Sequence, residues 1–188
     1  MNGFTSMSLN FYNDRITTEG DMFEVMMDWE DSLMSASAAY ITENGGDILE
    51  IGFGMGISAC YMHSHSINSH TIVENHPEII PKAVEWASNK SNVTIVSQSW
   101  YDVKDSLGTF DGVFYDTFED INYGNFSSSL STWTKSGTKV TFWNDDNGES
   151  NNHQIESTYK QINISAPNSA SLYFRSGNTT YYMPMKEF

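Results

Sequence analysis

A short, mostly apolar segment followed at once by closely spaced glycines limits the folds open to this chain more than any other feature. Residues 48–51 have the pattern of a strand that is buried on both faces of a sheet. Gly52, Gly54 and Gly56 follow, and a helical pattern begins near Ile57. This arrangement is typical of nucleotide-type sites, because glycines let a ligand touch the backbone and a helix start offers free N–H groups. A turn with a purely structural role is the alternative.

A carboxylate at the end of the next predicted strand supports the interpretation as a binding site. Residues 71–74 form a second short apolar segment that ends in Glu74. In doubly wound folds an acid at this place accepts hydrogen bonds from ribose hydroxyls. The glycines are spaced G-x-G-x-G rather than G-x-G-x-x-G, and no Walker lysine follows. The spacing favours S-adenosylmethionine over ATP or NAD, and it leaves an NAD-dependent enzyme as an alternative.

Length and composition predict one cytoplasmic domain over residues 1–188. The apolar content of 39% and aromatic content of 14% argue against disorder. A formal net charge of −15 argues against nucleic-acid binding, which needs clustered Lys and Arg. We expect no secretory signal and no membrane contact, because residues 1–15 lack a signal pattern and no apolar segment has the length of a span. The single Cys60 excludes an internal disulfide, and we expect it to pack inside the following helix.

Alternating strand and helix patterns predict an α/β fold with a mostly parallel sheet. Residues 1–20 are predicted to be an irregular arm. A helix from Asp21 to about Gly45 is expected to pack its apolar stripe on the sheet and to lie over the cleft. The other predicted strands are 47–51, 70–74, 92–97, 110–115 and 137–143, with helices near 57–66, from Pro77 onward, near 101–107 and at 123–134.

The end of the chain has a different pattern. After a polar loop at 145–152, a helix is predicted at 152–160 and strands at 161–165, 171–175 and 179–185. Gly177 and Asn178 are typical of a hairpin turn. An antiparallel hairpin that completes a parallel sheet is the layout of class I methyltransferases.

Two acids are expected to meet above the cofactor. Asp116 ends the fourth strand of the alternating region, which should border the first at the switch point of the sheet. Glu30, on the helix before the first strand, could reach the same cleft. Two converging carboxylates suit a guanidinium, whose fork of donors pairs with carboxylates and whose pKa above about 12 keeps it charged. A charged guanidinium has no free lone pair, so a site that methylates it must orient it and accept a proton. A turn aspartate and a surface glutamate are the alternatives.

The histidines do not have the spacing of a metal site. His63 and His65 would point to different sides of a helix, His70 follows nearby, and no Cys or acidic ligand joins them. We therefore expect exposed histidines and no metal. Trp100, which follows Ser99 at the end of the third strand, either walls the adenine pocket or belongs to the core, and the pattern leaves both open.

Several segments in register resemble guanidinoacetate N-methyltransferase, and they are also similar to the related arginine δ-N-methyltransferases. The similarity runs continuously over about residues 25–143 and resumes weakly at 181–184. The segments that carry it are 25–30 (VMMDWE), 49–55 (LEIGFGM), 72–74 (IVE), 86–87 (WA) and 110–117 (FDGVFYDT).

The resemblance implies methyl transfer from S-adenosylmethionine to a guanidino nitrogen, in a small guanidinoacetate-like molecule or in arginine. It implies that Glu30 and Asp116 bind the guanidino group, with Asp116 next to the cofactor and accepting the proton. Glu74 becomes the ribose ligand, and Ser99 and Trp100 lie near adenine. The backbone that cradles the methionine part comprises Gly52, Phe53, Gly54, Met55 and Gly56.

Departures from the family leave the acceptor open. The chain is shorter than the family norm after the fifth strand, and its covering segment there, 144–150, matches nothing in the family. Arg15 is the only arginine of the arm that could meet a substrate carboxylate, and its offset from Glu30 differs from the family's. A catalytically silent S-adenosylmethionine-binding protein that works through partners is the main rival, and the number of subunits is left open.

Overall fold

The computed structural model describes residues 3–144, 148–164 and 179–188. The strands and helices follow one another mostly in alternation after an N-terminal group of three strands. The strands are β1 (Leu9–Phe11), β2 (Arg15–Thr18), β3 (Glu24–Met27), β4 (Asp47–Ile51), β5 (Ser69–Val73), β6 (Val93–Val96), β7 (Gly112–Tyr115), β8 (Lys139–Phe142), β9 (Thr158–Asn163) and β10 (Thr180–Glu187). The α-helices are α1 (Asp31–Ile41), α2 (Ile57–His63), α3 (Ile80–Ala87), α4 (Trp100–Val103) and α5 (Phe126–Trp133).

The main sheet of the described residues has seven strands in the order β6-β5-β4-β7-β8-β10-β9. The strands from β6 to β8 run parallel, whereas β10 pairs antiparallel with both β8 and β9. The predicted class I methyltransferase fold is therefore confirmed. The predicted neighbour relation is also confirmed, because β4 pairs with β7 through the register Ile51–Tyr115.

The core lies on both faces of the central strands. Leu49 and Val113 are fully buried among apolar side chains of one face, and Ile48 is buried with Met34 and Phe114 on the other. Burial on both faces accounts for the apolar pattern of β4, since a buried large apolar side chain contributes roughly 1.5–3 kcal/mol. This rigid centre fixes the strand ends from which the site is built.

The prediction for the N-terminal region was wrong in its local structure. Residues 9–27 form a three-stranded antiparallel sheet, β1-β2-β3, instead of an irregular arm and the first turns of a helix. Helix α1 begins only at Asp31, after a 3₁₀ turn at Asp28–Glu30. The helical spacing predicted that Met22 and Met26 lie on one buried face, but Met22 is 64% exposed while Met26 and its neighbour Met27 are both buried on β3.

The prediction for the C-terminal region was correct only in part. The predicted helix at 152–160 is absent, and residues 158–163 form β9, which pairs with β10 along six residues. The predicted strand at 171–175 and the turn at Gly177 and Asn178 lie outside the described residues. Helix α3 begins at Ile80 with Pro81 in its first turn, rather than at Pro77.

Two smaller expectations about side chains were also wrong. Cys60 is exposed on α2, where the indole Nε1 of Trp86 donates to its Sγ at 3.2 Å. His70 is fully buried, with Nε2 at 2.9 Å from Oε2 of Glu50, although the pattern favoured exposed histidines. No helix of the described residues has the length and apolar character needed to cross a membrane.

Candidate active site

The glycine turn after β4 lies in close contact with two other strands, β7 and β3. Gly52 and Gly54 have φ values of 94° and 53°, in the left-handed region that side chains disfavour. A Cβ on Gly52 would overlap the carbonyl oxygen of Asp116, and one on Gly54 would overlap Sδ of Met26. The turn therefore needs glycine at both positions to lie against the end of β7 and against β3.

Glu74 anchors this turn to the end of β5. Its Oε2 accepts the N–H of Phe53 at 2.9 Å, and its Oε1 accepts the N–H groups of Asn75 and His76, both at 2.8 Å. The side chain is buried but lines the cleft. Oε1 already accepts two hydrogen bonds, but Oε2 accepts only that of Phe53 among the described residues and has a second lone-pair direction, so Glu74 can still accept a hydrogen bond from a ligand.

A cleft of about 1090 Å³ opens at the carboxyl edge of the parallel strands, next to the glycine turn. Parallel α/β sheets bind ligands at this edge, at the point where the strand order reverses. Most of the predicted site residues line it together: Glu30, Gly52, Phe53, Gly54, Glu74, Ser99, Trp100 and Asp116.

Met55 and Gly56, which were predicted to contact the cofactor, are not brought to the cleft. Gly56 is the N-cap of α2 and lies behind Phe53, so that a Cβ there would be 2.6 Å from the phenyl ring. The N–H of Met55 donates to Sδ of Met26 at 3.0 Å, while its side chain packs in the core. Both residues therefore belong to the turn but lie on the side away from the cleft.

Glu30 is buried at the start of α1 and faces other acids. Its side chain is 7% exposed, and Oε1 accepts the N–H of Met27 at 2.8 Å. Burial raises the pKa of Glu30 well above its ordinary value, and the charges of Asp116 and Glu24 raise it further, against the opposing effect of the Met27 hydrogen bond. The site therefore holds a proton or needs a cation.

Asp116 lies where the end of β7 meets the glycine turn. Its N–H donates to the carbonyl of Ile51 at 2.9 Å, which extends the β4–β7 pairing by one residue. Its side chain lines the same cleft as Glu30, although the two residues are far apart in the sequence. The electrostatic effect of Asp116 on Glu30 follows from this proximity.

Trp100 belongs to the core and also lines the cleft, while its contact with adenine stays a prediction. It is 3% exposed and packs edge-on against Tyr115 at a ring distance of 5.8 Å. Asp120 accepts hydrogen bonds from Trp100 Nε1 at 2.5 Å, Tyr115 Oη at 2.7 Å and the N–H of Asn122 at 2.8 Å. Burial, and then the charge of Asp120, raise the pKa of Tyr115, so its hydroxyl is a permanent donor.

Sequence reasoning missed several residues that line the cleft. Phe4 and Glu24 come from the region predicted to be an irregular arm and a helix, and Phe118 and Asp120 follow β7. The acids at 119 and 120, three and four positions after Asp116, were a usable signal that was not interpreted. In the described part of the chain, no group of three or more His, Cys, Asp or Glu side chains could hold a metal ion.

The mostly parallel sheet with its antiparallel C-terminal strand has the class I methyltransferase fold. The chain belongs to the guanidinoacetate N-methyltransferase family, whose family model matches residues 12–134. It is 36% identical over 135 residues to "Protein arginine N-methyltransferase 2" of Aspergillus oryzae and 31% identical over 128 residues to the Saccharomyces cerevisiae protein of the same name. These matches cover 68% and 62% of this chain but only 32% and 31% of the relatives, so the chain spans about a third of their length.

Solved structures support the fold. Spermidine synthase from Thermotoga maritima superimposes with a TM-score of 0.66 at 10% identity, over 96% of this chain and 72% of that one. The methyltransferase yhhF of Escherichia coli gives a TM-score of 0.59 at 14% identity, over 93% of both chains. At these identities the likeness concerns architecture alone.

Proposed function

We propose that this chain transfers a methyl group from S-adenosylmethionine to a nitrogen of a guanidinium held between Glu30 and Asp116. The observation that carries the proposal is the meeting of these two acids in one cleft beside the glycine turn. Ionising the buried Glu30 beside another acid is costly, and a planar cation with several N–H donors relieves that cost. Family membership supports the same chemistry.

The cleft fits S-adenosylmethionine on grounds of its own residues. Gly52 and Gly54 bring their backbone to the cleft, Glu74 has acceptor capacity for a ribose, and Trp100 and Ser99 border the adjacent space. S-adenosylmethionine supplies a methyl group on a positively charged sulfur. An acidic cleft stabilises such a cation, in keeping with the net charge of −15.

The two acids have different tasks in the proposed reaction. As the N–CH₃ bond forms and the S–CH₃ bond breaks with its electron pair going to sulfur, the guanidinium nitrogen must lose a proton. Asp116 accepts this proton, while Glu30 keeps the planar group in line through a second set of hydrogen bonds. The products are a methylated guanidinium and S-adenosylhomocysteine.

The acceptor is a guanidino compound, either a small molecule or the side chain of arginine. The matching family is described by guanidinoacetate, whereas the curated relatives are named for protein arginine. The N-terminal sheet would discriminate between such acceptors, because it supplies Glu24 and Met26 to the lining of the cleft.

The test is a methyl-transfer assay with guanidinoacetate, arginine and arginine-containing peptides, using wild type and Asp116→Asn. We expect the variant to lose turnover by about 10²–10⁴-fold, since it removes the proton acceptor, while its affinity for S-adenosylhomocysteine changes little. Asp105→Asn is the matched control, because Asp105 is exposed and pairs with its neighbour Lys104 at 2.7 Å. Transfer by Asp116→Asn at the wild-type rate would reject the role of Asp116. Cofactor binding without transfer to any guanidine by wild type would favour the catalytically silent protein.

A further inference from the structure

Residues 3–9, which we call the N-terminal strap, connect two sides of the cleft. Phe4 and its neighbours on either side line the cleft. The centre of the Phe4 ring lies 4.5 Å from that of His76, in the loop after β5, and 5.1 Å from that of Phe118, in the loop after β7. Because β5 and β7 flank β4, the strap bridges the strand ends on either side of the glycine turn.

His76 holds the strap through an imidazole ring that is fully buried. Its Nδ1 accepts the N–H of Glu78 at 3.2 Å, and its Nε2 lies 3.1 Å from the carbonyl oxygen of Met7 in the strap. A backbone N–H can only donate, so these partners assign the proton to Nε2, which donates to Met7. Oε1 of Glu78 adds a second tie, because it accepts the N–H of Leu9 at 3.2 Å.

The loop that holds the strap also carries the carboxylate proposed for the ribose. Oε1 of Glu74 accepts the backbone N–H of His76 at 2.8 Å, while Oε2 accepts that of Phe53 in the glycine turn at 2.9 Å. The strap, the His76 loop and the glycine turn are therefore connected by hydrogen bonds along one edge of the cleft.

A second proton on His76 conflicts with these contacts. An imidazolium has an N–H donor at each nitrogen, so Nδ1 would face the N–H of Glu78 as donor against donor. The charged groups nearest the ring in the chain are the carboxylates of Glu74 and Glu78, which are bonded to backbone N–H groups. The strap presents to the ring a carbonyl oxygen and the ring of Phe4.

We propose that His76 is a positioning residue for cofactor exchange: its neutral imidazole holds the strap across the cleft, and protonation of the ring releases the strap. The inference rests on the proposed function for the identity of the ligand in the cleft. His76 contacts the strap rather than the acids assigned to the acceptor, so it acts on the release of S-adenosylhomocysteine and not on methyl transfer. Histidine suits this task, because imidazoles as a class change charge between roughly pH 5 and 8.

The experiment measures the dissociation rate of S-adenosylhomocysteine from immobilised protein by surface plasmon resonance, from about pH 5.5 to 8. His76→Asn cannot titrate; its Oδ1 can still accept the N–H of Glu78, but the side chain is too short to reach Met7. Phe4→Ala removes the ring contact and leaves the imidazole in place. His65→Asn is the matched control, because His65 is exposed and lies outside the lining of the cleft.

Wild type should release the ligand about tenfold faster at pH 5.5 than at pH 8, because the neutral ring is lost as pH falls. His76→Asn should release it about tenfold faster than wild type at pH 8 and show little further change at lower pH. Phe4→Ala should release it faster at pH 8 and keep a pH dependence, whereas His65→Asn should match wild type. A pH profile that His76→Asn shares with wild type, or wild-type release by His76→Asn at pH 8, would overturn the role of His76.

Hydrogen exchange in the ligand-free protein separates this inference from the proposed function. The amides of Leu9 and Glu78 donate in the contacts that hold the strap, so their peptides report its release directly. After correction for intrinsic rates, their protection should fall from pH 8 to 5.5 in wild type and be low at both pH values in His76→Asn. This pattern in a protein that does not bind S-adenosylhomocysteine, or does not methylate any guanidine, would uphold the strap contact and reject the proposed function. Equal protection in wild type and His76→Asn would overturn the inference whatever the protein binds.

Discussion

Replacing Glu30 with glutamine should stabilise the free protein while it impairs binding of a guanidinium. Glutamine has nearly the same shape, and its carbonyl oxygen can still accept the N–H of Met27, which lies 2.8 Å from Oε1. The substitution therefore removes only an ionisable group that is 7% exposed and faces Asp116 and Glu24. What it removes is a free-energy cost, because the folded state disfavours the ionised form of Glu30.

The size and pH dependence of this gain follow from linkage. In the unfolded chain Glu30 ionises near its ordinary value of about 4.3, whereas in the folded protein its pKa lies well above the ordinary value. The folded state therefore binds more protons, and the stability of wild type relative to Glu30→Gln falls as pH rises from the ordinary pKa to the raised one. Relief of a buried, poorly paired charge is worth roughly 1–2 kcal/mol at neutral pH, or about 2–8 °C in Tm for a chain of this size.

The assay is thermal unfolding of wild type and Glu30→Gln at pH 4, 5, 6, 7 and 8, followed by circular dichroism. We expect the difference in Tm to be smallest at pH 4 and to grow toward neutral pH. Glu19→Gln, which removes an exposed acid, should change Tm by less than about 2 °C throughout. A difference that is equal at all pH values, or a variant less stable than wild type at pH 7, would refute the reasoning.

Three further predictions concern other parts of the site. Binding of a guanidinium should tighten as pH rises from about 5 to 8, because Glu30 must ionise to pair with it. Glu30 should release its proton on binding, which calorimetry in buffers of different ionisation enthalpy measures. Binding that does not depend on pH would contradict this prediction. Glu74→Gln should weaken S-adenosylhomocysteine binding about tenfold or more, since the NH₂ group of glutamine cannot accept the N–H groups that one carboxylate oxygen of Glu74 accepts. An unchanged affinity would show that Glu74 does not contribute to the cofactor site. Cys60 should react with a thiol reagent in the native state nearly as fast as in the denatured state, and strong protection would show that it is buried.

The fold and the centre of the site were predictable because they depend on local patterns. The segment 48–56 determines a buried strand and a left-handed turn whatever the rest of the chain does, and Glu74 and Asp116 follow from strand ends in the same way. The N-terminal sheet was not predictable by the same means. Its short strands pair with one another through a register shift between Ile16 and Thr17, and the apolar spacing of residues 22–33 also suits a helix.

The positions of side chains relative to the cleft were harder to predict than the elements that carry them. Gly56 continues the G-x-G-x-G pattern, yet the ring of Phe53 separates it from the ligand space. Glu24 had no motif to mark it, because its place in the cleft lining depends on β3 lying against Gly54 through Met26. Such contacts between distant segments are decided by packing, which periodicity in the sequence does not encode.

The arrangement of the acids indicates how folding and binding are linked in this protein. The main sheet supplies Asp116 at the end of β7, while the N-terminal sheet and the turn after it supply Glu24 and Glu30. Asp116 and Glu24 both raise the pKa of Glu30, so ionising Glu30 in the folded protein costs free energy. If the proposed function is correct, binding of a guanidinium recovers part of this cost, because anything that binds the folded state alone stabilises it. The N-terminal sheet contacts the glycine turn through Met26, so we expect the affinity for the acceptor to depend on this contact as well as on the acids.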